Sequence, residues 1–284
     1  MMRSRVTAAR RGLTIVELLF AMIILGMFGV AAVRLLRSQS GFYDKQLKQR
    51  EARAVSRASV NVVLSELRMV ESTSGVEAVS ADAITLRVPY TMGMFCGNSG
   101  GVSVVALLPT DSTMLANATP SGHAWRDVKG VYTYTNAAVT TAAASAAMSA
   151  VCTAANISVL PGGGRVVTVT PLMPAGASPG DVLFLYQRLR YEFADSGVLP
   201  GRRALWRVIV DSGARDELAA PFDAASRFRF FQFDRDTSDV AANASDVRGI
   251  DLVFDAASQT ARAGAAATER SLFRTSVFFN NRVN

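Results

Sequence analysis

The sequence contains few residues of the types that usually carry out catalysis or bind metal ions. His123 is the single histidine, and the two cysteines, Cys96 and Cys152, form no C-x-x-C motif. Sites that need two imidazoles or a cluster of cysteine and histidine are therefore excluded. We expect a protein that is not an enzyme and that requires no cofactor.

Three acids are grouped at Asp234, Asp236 and Asp239. A calcium loop of the EF-hand type needs glycine at its sixth position and glutamate at its twelfth, where this sequence has Asp239 and Ser245. A polar turn between strands is the favoured interpretation, and a calcium-holding loop is the weaker alternative. We expect no bound metal ion.

Glu17 is the residue whose position most requires a chemical partner. Leu18 to Val33 is a run of sixteen residues without a charge or a strong polar group. As a helix, Leu13 to Val33 spans about 30 Å, the thickness of one bilayer core. An unpaired acid deep in a membrane costs on the order of 2.5 kcal/mol or more. No basic side chain lies within two helical turns on the apolar side, so the nearest positive charge is the α-amino group that cleavage before Leu13 would create.

The positive charge of the chain is concentrated ahead of this apolar segment. The formal net charge is +7, but the first twelve residues hold four arginines and no acid, which leaves 26 basic residues against 23 acidic ones. So small an excess gives no reason to expect nucleic acid as a specific partner. By the positive-inside tendency, the leading arginines stay in the cytoplasm and the C-terminal bulk is exported.

The segment Arg11-Gly12-Leu13-Thr14-Ile15-Val16-Glu17-Leu18-Leu19 resembles the class III signal of type IV prepilins and type II secretion pseudopilins. In that family a prepilin peptidase cuts after the glycine and methylates the new N-terminus. The resemblance implies cleavage between Gly12 and Leu13 and N-methylation of Leu13, although phenylalanine is more usual there. It also implies that Glu17 pairs with the terminal amine of a neighbouring subunit, and a desolvated carboxylate does require such an ammonium.

Two other interpretations of the N-terminus remain. An ordinary secretory signal would have its apolar core at Leu18–Phe28 and a small-x-small cleavage site at Gly29-Val30-Ala31. A simple signal anchor would hold a binding protein or an enzyme at the membrane. Neither interpretation gives Glu17 a role.

The prepilin interpretation predicts a location and a set of partners. The protein would cross the bacterial inner membrane once, with its C-terminal domain exported, and would then join a pilus or pseudopilus. Prepilin peptidase, other pilin or pseudopilin subunits and inner-membrane lipid are the expected partners, and no specific nucleic acid is expected.

Export would bring Cys96 and Cys152 into an oxidising compartment, where a disulfide between them could form. Such a bridge would close a loop of nearly 60 residues. In the chain-entropy account it would stabilise the domain by roughly 4 kcal/mol. Two separate buried thiols are the alternative.

Good helix formers continue well beyond the apolar segment. No proline occurs before Pro89, and no glycine occurs between Gly41 and Gly75. We expect one helix from about Leu13 to about Val70, which would be about 85 Å long. The apolar residues that recur at helical spacing in its second half, and that would face a packed domain, are Val60, Val63, Leu64, Leu67 and Val70.

Short strands and turns dominate the remainder of the chain. The clearest strand, Asp181–Phe193, and Ala204–Val210 form an expected antiparallel hairpin with a longish loop. Thr135–Ala150 is rich in alanine, threonine and serine, and we expect a flexible surface loop there, with a helix formed by the alanines as the alternative. Further expected strands lie at 84–89, 102–108, 128–134, 166–170, 228–233, 249–254 and 272–279.

The predicted fold class is α+β, with a long N-terminal helix packed by its second half on a mostly antiparallel β-sheet. The expected division is a leader at 1–12, a membrane and filament-core segment at 13–36, an exported continuation of the helix at 37–72 and a β-rich domain at 73–284. In the C-terminal half, Arg248–Phe254 and Phe273–Arg282 resemble minor pilins of the PilW type and pseudopilins of the J type. The resemblance implies a structural subunit at a priming or tip position.

Overall fold

The structure of the protein is a computed structural model that describes residues 14–71, 74–127, 129–141, 146–159, 162–233, 236–240 and 242–279. The predicted leader, 1–12, and Leu13 lie outside the described residues, and so does Asp234.

One long helix, α1, begins the described chain and runs over Ile15–Leu67, 53 residues. At the helical rise it is about 80 Å long. The prediction of a single continuous helix is confirmed, but the helix ends three residues before the expected Val70. The amides of Met69 and Val70 donate to the carbonyls three residues back, at 3.0 and 3.2 Å, so the last turn tightens before the chain leaves the helix.

The rest of the described chain is organised around an antiparallel sheet. It also contains α2, Pro109–Asn117, α3, Ala146–Ala154, and a 3₁₀ turn at Ala244–Asp246. Its strands are β1 Val76–Val79, β2 Ala83–Ser99, β3 Val102–Leu107, β4 Gly122–Arg126, β5 Tyr132–Asn136, β6 Ala138–Thr141, β7 Arg165–Thr170, β8 Val182–Asp195, β9 Arg203–Ile209, β10 Arg215–Phe222, β11 Arg227–Gln232, β12 Val247–Ala257 and β13 Arg270–Phe278.

The main path of the sheet has the order β11-β12-β10-β9-β8-β2-β3-β7-β6. Strand β1 pairs with β2, β13 pairs with β12, and the β4–β5 hairpin joins the sheet beside β8. Strands β8 and β9 pair from Leu189↔Ile209 to Asp195↔Arg203, which confirms the expected hairpin. The structure is therefore α+β, with a long apolar N-terminal helix and a large antiparallel sheet.

The second half of α1 packs against the C-terminal strands of the sheet. The first buried residue of the helix is Ala52, and Val60, Val63 and Leu67 are buried further along. Leu64 is only partly buried against this core. The predicted apolar stripe is thus confirmed, and the aromatic residues that it meets in the shared core are Phe193, Phe222, Phe228, Phe230 and Phe254.

The prediction of a flexible loop at Thr135–Ala150 is wrong for most of the described residues in that range, which form a strand and the start of a helix. Strand β6 pairs in full register with β7, from Ala138↔Thr170 to Thr141↔Val167. Helix α3 begins at Ala146 and packs against β2 and β3. β-Branched threonines favour the strand and alanines favour the helix, so the composition is compatible with both elements once partners are present.

The strand expected at 128–134 is also wrong in its bounds. The chain forms a hairpin of β4 and β5, whose register runs from Gly122↔Asn136 to Arg126↔Tyr132. Asp127 closes the connection, because its Oδ1 accepts hydrogen bonds from the amides of Lys129, at 2.9 Å, and Val131, at 2.8 Å. Asp side chains stabilise turns in this way.

Candidate functional site

The start of α1 is a complete capping box formed by Thr14 and Glu17. The amide of Glu17 donates to Thr14 Oγ1 at 3.3 Å, and the amide of Thr14 donates to Glu17 Oε2 at 3.2 Å. Two amides that would otherwise lack partners at the helix start are satisfied reciprocally. A carboxylate in the first turn also interacts favourably with the positive end of the helix dipole.

This geometry gives Glu17 a role that its charge alone did not reveal. The spacing Thr14-x-x-Glu17 is the sequence signature of a capping box and could have predicted it. The other two predicted N-terminal site residues, Gly12 and Leu13, lie outside the described residues. Glu17 Oε2 accepts its hydrogen bond from the amide of Thr14, the residue that directly follows Leu13 in the sequence.

The first half of α1 has an unpartnered apolar surface. Every residue from Thr14 to Ser40 is exposed, and among the described residues none packs on this stretch. A Cβ added at Gly26 or Gly29 would meet no atom within 4 Å, so these glycines have no packing role inside the chain. Of the described helices, α1 is the one long and apolar enough to cross a membrane.

Glu17 is the only charged residue at this end of the described helix. The next is Arg34, which lies about 25 Å further along at the helical rise. No side chain of α1 can therefore supply a positive charge to Glu17. A charged Glu17 in an apolar environment therefore draws its cation from another chain, from the chain terminus or from the membrane surface.

The two cysteines are joined by a disulfide in the structure, with a Cα–Cα distance of 4.6 Å. Cys96 comes from β2 and Cys152 from α3, and both are buried. The bridge ties α3 to the sheet within a small core of its own, which also contains Val104, Ala106, Ile157 and Val166.

The acidic group proposed as a weak calcium site is only partly within the described residues. Asp236 is fully exposed and forms an ion pair with Arg248 at 3.2 Å. Asp239 forms a β-bridge with Phe230, and its Oδ1 accepts from the amide of Val240. Among the described residues no group of three or more His, Cys, Asp or Glu side chains is placed to hold a metal ion.

His123 is buried in β4 and is not part of any catalytic arrangement in the described structure. Its side chain lies on the same face of the strand as Trp125, since strand residues two apart share a face. It is 0% exposed, and neither ring nitrogen has a hydrogen-bond partner among the described residues. Burial disfavours the charged imidazolium and lowers the pKa of His123 to about 4.

This burial predicts a pH-dependent loss of stability. The pKa of His123 is about 4 when folded and about 6.5 when unfolded, so the unfolded chain binds the extra proton first. The stabilisation is complete above about pH 6.5 and is lost as the pH falls to about 4, with a total of about 3 kcal/mol. Denaturant unfolding at several pH values measures this change in the free energy of unfolding.

The matched control for this prediction is His123→Phe, which keeps a ring in the core and removes the titrating group. The difference in unfolding free energy between the two proteins should change across pH 4 to 6.5 and be constant above it. Parallel pH profiles for the two proteins would show that His123 does not cause the effect.

Comparison with known proteins finds no match to a family model, to a curated protein or to a solved structure. Within the described residues, one helix has the length and composition to span a membrane, and its C-terminal half packs on the antiparallel sheet.

Proposed function

We propose that this chain is a minor pilin or pseudopilin, a structural subunit of a type IV pilus or a type II secretion pseudopilus. Its precursor is inserted in the bacterial inner membrane, cut between Gly12 and Leu13 by prepilin peptidase, and N-methylated on Leu13. The mature subunit then leaves the bilayer to join a filament, and its sheet domain faces outward.

The observation that carries the proposal is the apolar first half of α1 with Glu17 at its start. The exposed apolar residues from Ile15 to Val33 need an apolar environment, which lipid supplies before assembly and neighbouring helices supply afterwards. Gly26 and Gly29 allow close approach of another helix, since a side chain there meets nothing within this chain. Glu17 needs a cation that α1 does not contain, and the terminal amine of a neighbouring subunit supplies it.

Two features of the domain agree with export and with a structural role. A buried disulfide between Cys96 and Cys152 suits an oxidising compartment. The sheet is broad, and nine strands lie along its main path within the described residues. By the resemblance to minor pilins, such a domain suits a priming or tip position in the filament.

A second candidate is a membrane-anchored binding protein or enzyme with an ordinary signal sequence. The capping box favours it, because Thr14 gives Glu17 a role that requires no filament. In that case the helix is an anchor or a cleaved signal, and the sheet domain acts alone.

Processing distinguishes the two candidates. In cells with prepilin peptidase the chain should become shorter by the leader, residues 1–12, and in cells without the enzyme it should remain full length. In both cells, protease added to the outside of the inner membrane should digest the domain. Processing that is unchanged when the peptidase is absent would contradict the pilin proposal.

A further inference from the structure

A cleft of about 400 Å³ opens between the end of α1, α2 and the β4–β5 hairpin. Its volume lies within the roughly 300 to 1,000 Å³ that small-molecule sites occupy. None of the residues considered above for catalysis, metal binding or assembly lines it. The lining residues are Met69, Glu71, Pro89, Tyr90, Thr91, Met92, Asp111, Ala124, Tyr132, Tyr134 and Phe184.

The floor of the cleft follows from the register of four strands. Met92 on β2 lies opposite Phe184 on β8, Phe184 lies opposite Ala124 on β4, and Ala124 lies opposite Tyr134 on β5. Ala124 is the one short side chain in this row, so a depression forms between the rings of Phe184 and Tyr134.

Aromatic rings form one wall of this depression. The ring centroid of Tyr132 lies 6.5 Å from that of Tyr134 and 6.1 Å from that of Phe184. Such ring faces carry negative electrostatic potential and attract cations. Arg87 already occupies one face of Tyr134, with its guanidinium carbon 5.5 Å from the ring centroid, which shows this preference directly.

The charged groups that line the cleft are both acidic. Glu71 is 3% exposed, and Asp111 is half-buried on α2. No lysine, arginine or histidine is among the described residues that line it. Glu71 and Tyr134 line the same cleft, so this negative charge lies beside the aromatic wall.

One carboxylate is held in place at the rim of the cleft. Asp111 Oδ1 accepts from the amide of Met92 at 2.9 Å, which fixes the carboxylate beside the row of Met92, Phe184 and Ala124. Asp111 is half-buried whereas Glu71 is 3% exposed, so Asp111 is the acid that a bound cation can reach.

From this arrangement we propose that the cleft binds a primary ammonium group on a short apolar stem. The ammonium donates to the Asp111 carboxylate, and its stem lies against Tyr132 and Phe184. A free alkyl amine and the side chain of a lysine on another protein share this chemistry. The inference does not depend on the proposed pilin function.

The test uses the full chain in a non-ionic detergent and two probes, cadaverine and Nα-acetyl-lysine methylamide. Both should give saturation-transfer NMR signals. Acetylating Nε of the lysine probe should weaken binding by about tenfold or more, because it removes the charge that the rings and carboxylates attract. Tighter binding of cadaverine identifies a free amine as the natural source, and tighter binding of the blocked lysine identifies a protein side chain.

Asp111→Asn is the informative variant, because the amide oxygen of asparagine can still accept from Met92 and the fold is retained. This variant should bind each of the two probes about tenfold more weakly than the parent protein. Asp216→Asn is the matched control, since it removes one exposed acid on β10, outside the cleft, and should bind like the parent. Tyr132→Leu is a second variant, and it should weaken binding by removing one ring face.

Three results would overturn the proposal. They are no binding of either probe to a chain with a normal thermal transition, equal binding of the charged and acetylated lysine probes, and unchanged binding in both Asp111→Asn and Tyr132→Leu.

Discussion

Replacing Glu17 by glutamine is expected to leave the processed chain in the membrane and to remove it from filaments. Glutamine also accepts a hydrogen bond from the Thr14 amide, so the capping box is retained while the negative charge is lost. The terminal ammonium of the neighbouring subunit is then buried without a partner, at a cost of roughly 3 to 5 kcal/mol. At equilibrium this corresponds to at least about a hundredfold loss of incorporation. Quantitative immunoblots of sheared filaments and membranes measure it.

Thr14→Ala is the matched control for the Glu17 variant. It keeps the carboxylate but removes the hydroxyl that accepts from the Glu17 amide, so it breaks one half of the capping box. Assembly should be close to normal in this variant, with a loss of helix stability of about 1 kcal/mol. If Thr14→Ala prevents assembly and Glu17→Gln does not, the role of Glu17 is to cap the helix and the proposed charge pairing is wrong.

Removing the disulfide is expected to destabilise the sheet domain by about 4 kcal/mol. The bridge joins residues separated by 56 positions, and opening it restores the entropy of that loop to the unfolded chain. The loop includes α2, β4 and β5. The cleft should therefore lose its structure together with the small core around Cys152. Denaturant unfolding of the Cys96→Ala, Cys152→Ala double variant measures the loss.

The reducing agent dithiothreitol provides the control for this second prediction. It should destabilise the parent protein to a similar degree and should have no effect on the double variant. Two thiols that react with an alkylating reagent in the unfolded, unreduced parent would show that the bridge is absent from the protein as isolated.

Features of the fold that depend on local sequence were predictable. The run without proline or glycine between Gly41 and Gly75 supports one helix, and the spacing of Val60, Val63 and Leu67 identified its packed face. Strands with several β-branched or aromatic residues, such as β8 and β12, were also found. These signals act within a few residues, so no tertiary contact is needed to interpret them.

Other elements depend on partners that are distant in sequence. Strand β10, Arg215–Phe222, contains charged residues at its start and was not predicted, but it pairs with β9 along Arg215↔Val208 to Phe222↔Arg203. Strand β6 and helix α3 have a composition without periodicity, and β7 and the disulfide position them. The cleft at the end of α1 could not be predicted, because several separate segments supply its lining.

The processing and assembly site at the N-terminus stays a prediction. The acid in an apolar run and the preceding glycine are both local features, and their resemblance to the prepilin signal implies roles for Gly12, Leu13 and Glu17. The capping box of Thr14 and Glu17 is a further local feature of the same segment, and the structure describes it. It matters because it offers Glu17 a partner within its own helix, so the assembly role has to be tested separately from the structural one.

The pilin proposal requires that prepilin peptidase create the N-terminus of the mature protein. Mass spectrometry of the N-terminal peptide from chain isolated from membranes and filaments measures this directly. We expect a single N-terminus at Leu13, carrying one N-methyl group. A chain that begins near Ala32, or that keeps Met1, would contradict it and would identify the helix as an ordinary signal or anchor.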